Sequence, residues 1–141
     1  MTSDSSINTP SAPRPVGPYP HARRAGNLLF LSGIGPRSPD DDSIPGTIRD
    51  EAGKVIGSDF EAQCHAVFEN VRRVLAAAGA TLEDLVDVTV FLTDISSDFA
   101  IMNRIYAQYL HQNPPSRTTV EVRRLPTPIA IELKCIAAIH T

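Results

Sequence analysis

From Phe60 to Ala78 the apolar residues Phe60, Cys64, Val67, Phe68, Val71, Val74, Leu75 and Ala78 return at spacings of three and four, while Glu61, Glu69, Arg72 and Arg73 fall elsewhere on the wheel. The pattern describes an α-helix with one face on a core. Ser58 and Glu61 have Ser-x-x-Glu spacing, in which hydroxyl and carboxylate satisfy free N–H groups reciprocally, so the helix is expected to begin at Ser58. Gly79 supplies its stop. The remaining elements have to be fitted around this helix.

Thr81 can cap a short helical turn, after which Val86 to Thr93 alternates Val86, Val88, Val90 and Leu92 with Asp87, Thr89, Phe91 and Thr93, a strand with one strongly apolar face. Ser97-Asp98 is expected to open a second helix with the stripe Phe99, Met102, Ile105, Tyr106, Tyr109 and Leu110, ended by Pro114. Tyr106 and Tyr109 fit that stripe as core residues. Thr118 to Val122 and Ile129 to Ile139 read as strands, and His21 to Gly33 as two short strands around Ala25-Gly26-Asn27, with the run Leu28 to Leu31 covered on both faces. Pro36 to Gly57, rich in Pro, Asp and Gly, is a long connection of the functional or disordered kind, with room for a hairpin at Glu51-Ala52-Gly53.

The order is ββ, helix, β, helix, ββ. One sheet with two helices on one face, an α+β domain, packs it most economically. Ile129, Ile131, Leu133 and Cys135 fall on one side of the last strand and Ala130, Ile136 and Ala138 on the other, so the second sheet face needs cover, which a homo-oligomer would give. Residues 1–15, polar and rich in Ser and Pro, read as a flexible tail without signal-peptide order, and 16–141 as a single domain.

The chain has 141 residues with 42% apolar, enough for one core, and a formal net charge of -3 that draws it to no polyanion, so nucleic acid is not expected as a partner. No apolar run approaches the about 18 residues of a membrane helix, and a soluble, cytoplasmic protein is expected. Cys64 and Cys135, far apart among apolar neighbours, suit buried thiols. His21, His65, His111 and His140 show no metal spacing, and no metal or cofactor is expected. The glycines of "SGIGP" and "GPRSP" make turns and lack the spacing of a phosphate loop.

Two side chains ask for a chemical reason. Arg117 follows Pro114-Pro115, whose fixed φ stiffens the backbone and aims the guanidinium; its planar fork matches a carboxylate, and an ordinary surface arginine is the plain alternative. Glu132 interrupts the apolar run "IAIELKCIAAI", where a carboxylate is costly unless paired or used; Lys134, two residues on and on the same face, could simply neutralise it.

"GPYPHA" (Gly17 to Ala22), "LFLSGIGP" (Leu29 to Pro36), the stretch Phe60 to Leu110, "PPSRTTVEVRRLP" (Pro114 to Pro126) and "IAIELKCIAAI" (Ile129 to Ile139), in this order, resemble the Rid family, the reactive intermediate deaminases. The likeness covers nearly all of the chain after Pro15. It implies a chorismate-mutase-like α+β fold with a single mixed sheet, assembled as a homotrimer with clefts between subunits. It also implies hydrolysis of enamines and imines of 2-amino acids to 2-oxo acids and ammonia, without cofactor. Carried over position by position, Arg117 clamps the substrate carboxylate and Glu132 positions or activates water. Tyr19, Asn103 and, through its backbone, Gly33 match further pocket positions.

The chain departs from the commoner family pattern at Thr119, where many relatives have cysteine, at Pro20-His21, at Lys134 and in the length of the Pro36 to Gly57 loop. Together these resemble the 2-aminomuconate deaminase branch of aromatic degradation, whose product is the 2-oxo acid 4-oxalocrotonate. Such a substrate has two carboxylates, and Lys134, His21, Arg37 or Arg49 could meet the second. A general deaminase acting on 2-aminoacrylate, and a non-catalytic trimer that binds metabolites or proteins, are the competing readings; ribonuclease activity, attributed to relatives, sits poorly with the acidic balance.

Overall fold

The computed structural model describes residues 5–140. Strands β1 (Ser6–Ile7), β2 (Ala22–Ala25) and β3 (Leu28–Leu31) are followed by a hairpin of β4 (Thr47–Arg49) and β5 (Val55–Ser58), helix α1 (Phe60–Ala77), a 3-10 turn (Leu82–Asp84), β6 (Leu85–Leu92), helix α2 (Ile95–Leu110), β7 (Ser116–Glu121) and β8 (Ile131–Ala138). One mixed sheet runs in the order β1-β2-β3-β8-β6-β7, with β6 and β7 parallel and the other pairs antiparallel. Both helices pack on one face, as expected. In the core, Cys64, Val67, Phe68, Val71 and Val74 of α1 and Met102 and Ile105 of α2 are buried with Val88, Val90 and Leu92 of β6 and Ile131, Leu133 and Cys135 of β8. Burial pushes both thiols up to about 12, which leaves them as small apolar fillers.

Several boundaries move for local reasons. Ser58 belongs to β5, and Asp59 caps α1, its Oδ1 accepting from the N–H of Glu61 at 3.0 Å and of Ala62 at 3.4 Å. The helix stop is as read: Gly79, at φ +76°, lets the N–H of Ala80 reach back to the Leu75 carbonyl at 2.9 Å. Helix α2 begins at Ile95 because Asp94 accepts from the Ser97 N–H at 3.2 Å while Glu121 accepts from the Ile95 N–H at 3.0 Å. Val86 leaves the apolar face, 44% exposed, because an irregularity between Leu85 and Asp87 adds a residue to β6 opposite β8. In β3, Leu29 and Leu31 are buried but Phe30 is 36% exposed, so only one face of that strand is covered within the chain.

The outer face of the sheet is the apolar one expected to need cover. Phe30 stands opposite Ile136, and Val120 and Glu132 flank Phe91 across the ladder. The hairpin expected at Glu51-Ala52-Gly53 is present as β4 and β5.

The N-terminal segment is the main departure. Ser6 and Ile7 pair with Arg23 and Ala22, Ala12 is buried, and the ring of buried His21 holds the intervening chain. Nδ1 accepts from the Thr9 N–H at 3.2 Å, which leaves the proton on Nε2, 2.7 Å from the Pro13 carbonyl that accepts it. Of residues 1–15, expected as a flexible tail, 6–13 are therefore packed against the domain, and 1–4 lie outside the described residues. His21→Ala is expected to destabilise the fold by about 1–3 kcal/mol, because it leaves a donor and an acceptor without partners. A denaturant midpoint equal to that of the parent would show that the ring holds nothing in place.

Candidate functional site

The predicted site residues fall into two groups on opposite sides of the sheet. Residues directly opposed on neighbouring strands share a face. Arg117 is in register with Val88 and Thr119 with Val90, both buried under the helices, whereas Glu132 is in register with Phe91 and Lys134 with Thr89 on the outer face. Arg117 and Glu132 therefore cannot meet within one chain.

The first group surrounds Glu132. After β3 the chain is stitched to β8 by two hydrogen bonds, Ile34 N–H to Leu133 carbonyl and Leu133 N–H to Ile34 carbonyl, both 2.9 Å. This lays the Gly33 backbone against the Glu132 side chain so closely that a Cβ at Gly33 would stand 2.6 Å from Oε2. Glu132, Gly33, Tyr19, His21 and Arg37 line one cavity of about 160 Å³. Burial raises the Glu132 carboxyl above its ordinary value of 4.5. Lys134 does not neutralise it: its Nζ donates to the Leu31 carbonyl, and Glu132 forms no ion pair among the described residues.

The second group surrounds Arg117 on edge strand β7. Asn113, at φ 55°, and the two prolines turn the chain out of α2 into this strand. Arg117 then lies over α2, 4.8 Å from the Tyr106 ring centroid and 5.9 Å from that of Phe99, with Nη1 3.9 Å from Met102 Sδ. Aromatic faces hold a guanidinium without neutralising it. Asn103 shares this helix face by its spacing from Phe99 and Tyr106. Arg117 has no carboxylate partner, and the buried Tyr106 hydroxyl and Thr119 Oγ1 have no hydrogen-bond partner, among the described residues. A guanidinium held on aromatic faces without a counter-ion keeps its planar fork of donors, the geometry that matches a carboxylate.

The chain thus carries two candidate half-sites, a partly buried carboxyl in a cavity and a guanidinium mounted on aromatic rings. Sequence reasoning placed Tyr106 in the core and missed it as the floor under Arg117; its position between Asn103 and Leu110 gave no sign that a strand residue would lie on its ring. His21, by contrast, lines the cavity but spends both ring nitrogens on the N-terminal segment.

Comparison with known proteins finds relatives along most of the chain. The family described as Endoribonuclease L-PSP matches residues 9–139. The chain is similar to a RutC family protein of Pyrococcus horikoshii, 41% identical over 93% of this chain and 94% of that one. It is also similar to Reactive Intermediate Deaminase A, chloroplastic, of Arabidopsis thaliana, 36% identical over 94% of this chain and 65% of that one. Among solved structures, Escherichia coli TdcF with bound serine superposes with a TM-score of 0.83 at 33% identity, covering 96% of this chain and 98% of that one.

Proposed function

The chain belongs to the Endoribonuclease L-PSP (Rid) family, and from that premise we propose that it hydrolyses the enamine and imine forms of 2-amino acids to 2-oxo acids and ammonia, with 2-aminomuconate as substrate. The observation that carries this reading is the separation of Arg117 from Glu132 by the sheet, with each group unpaired and complementary to one part of such a substrate. A second copy of the chain, packed on the apolar outer face, brings the two halves together; a homotrimer gives three such sites.

In each site Arg117 of one chain holds the substrate carboxylate, with Thr119, Asn103 and the Tyr106 hydroxyl beside it. Glu132, with Tyr19 and Gly33, comes from the neighbour. The enamine first takes a proton on carbon to become the iminium ion. Water then bonds to the iminium carbon as the Glu132 carboxylate accepts a proton from it, giving a carbinolamine. Glu132 returns that proton to nitrogen; as the C–N bond breaks and ammonia leaves, the freed carboxylate accepts the hydroxyl proton, the carbonyl forms, and the proton passes to the ammonia as ammonium. A carboxyl raised by burial is suited to both transfers, since it takes up and holds a proton more readily than an exposed one.

Ammonia release and loss of substrate absorbance are to be followed with 2-aminomuconate and 2-aminoacrylate side by side. Faster turnover of the first is expected; turnover of the second alone would make this a general imine deaminase, and turnover of neither a binding module. A solution mass equal to one chain would rule out a site built between subunits. Gly33→Ala is expected to leave the fold intact, because the atom it strikes is the end of a flexible side chain, and to lower kcat by about 10²-fold through the displaced carboxylate. An unchanged kcat would detach the Gly33 approach from catalysis.

A further inference from the structure

We infer that Arg37 reads a second carboxylate of the substrate, so that the site selects 2-imino and 2-enamino dicarboxylic acids over monocarboxylic ones; the inference rests on the deaminase reading above. Arg37 shares the cavity wall with Glu132, Gly33 and Tyr19, whereas Arg117 lies on the other half-site. One guanidinium on each half matches an anion at each end of the substrate.

Arg37 belongs to a built wall, although it lies at the entrance to a long loop. Asn70 of α1, 1% exposed, donates from Nδ2 to the carbonyls of Gly35 at 2.9 Å and Arg37 at 2.8 Å, and its Oδ1 accepts from Arg73 at 2.7 Å. A buried amide with both ends engaged fixes the backbone from which Arg37 projects. The guanidinium is itself largely shielded, its side chain 16% exposed. Nη2 donates to the Arg14 carbonyl and Nη1 to Asp42 Oδ1, both at 2.7 Å. Two of its five N–H donors are used there, and three remain.

Asp42 is a weak competitor for them. It is 63% exposed on a turn, and an exposed ion pair contributes little in water. The other cations considered for this role are occupied elsewhere. Lys134 donates to the Leu31 carbonyl, Arg49 to the Gly53 carbonyl at 2.8 Å, and His21 spends both nitrogens on Thr9 and Pro13. Of these four, Arg37 is the one that lines the cavity with donors to spare.

The test uses two unreactive six-carbon acids, 2,4-hexadienedioate and 2,4-hexadienoate, which differ only in the second carboxylate, titrated calorimetrically into the purified assembly. The parent protein is expected to prefer the diacid by about ten- to hundred-fold, Arg37→Met to reduce that preference to about two-fold, and Arg37→Lys to keep an intermediate preference. Asp42→Asn, which removes the competing exposed partner, is expected to strengthen diacid binding several-fold. Equal binding of the two acids by the parent, or an equal loss of both in Arg37→Met, would overturn the inference. The deaminase reading fails separately. Diacid preference without ammonia release from any enamine leaves Arg37 as a carboxylate reader in a binding protein, and ammonia release without diacid preference sinks the Arg37 role alone.

Discussion

Glu132→Gln is expected to lower kcat by about 10²- to 10⁴-fold with little change in KM, and at the same time to raise the melting temperature at pH 7. The two effects share one cause. Burial lifts the carboxyl above its ordinary 4.5, so between that value and its raised value the folded state binds more protons at this position than the unfolded state. Stability then falls as pH rises through that window, and above it the fold carries a partly buried, unpaired charge. Glutamine carries no charge at any pH. Its advantage is therefore full above that window and fades as pH drops through it toward 4.5, where Glu132 is itself largely protonated. Melting curves at several pH values, paired with ammonia-release kinetics, read both effects. Matching melting temperatures at pH 7, or a kcat loss below about three-fold, would refute this role for Glu132.

The fold could be read wherever the reason for an element lies within its own few residues. The period of α1, the alternation of β6 and β8 and the glycine stop at Gly79 are of this kind. Errors arose where two elements compete for one residue. Ser58 has the chemistry of a helix cap, but the ladder with β4 claims it, and Asp59 takes the role with a better acceptor. The ordered N-terminal segment depends on a ring twelve residues away from Thr9, an interaction with no local signature. Arg117 and Glu132 stood out by chemistry alone, but their placement on opposite faces follows from the registers that set Arg117 opposite Val88 and Glu132 opposite Phe91, an odd number of residues apart on β6. No periodicity carries that information. Arg37 drew notice only as one of several loop cations, because the amide that mounts it comes from α1.

Arg117→Ala is expected to lower kcat/KM by about 10²- to 10⁴-fold, the loss of two charge-assisted bonds of roughly 1.5–3 kcal/mol each. Arg117→Lys should recover little, since an ammonium lacks the planar fork and stacks less well on Tyr106. A stronger result comes from combining two inactive proteins. If each site takes Arg117 from one chain and Glu132 from the next, co-expressed Arg117→Ala and Glu132→Gln chains form mixed assemblies in which some sites contain both intact residues. Such a site needs an Arg117-intact chain on one side, with probability one half, and a Glu132-intact chain on the other, also one half. Random mixing therefore restores about one quarter of the parental activity per site. A site contained within one chain admits no such rescue, because every chain in the mixture lacks one of the two residues. Activity no higher than that of the separate variants, in assemblies shown by two affinity tags to be mixed, would place both groups in a single-chain site and contradict the sheet register that holds them apart.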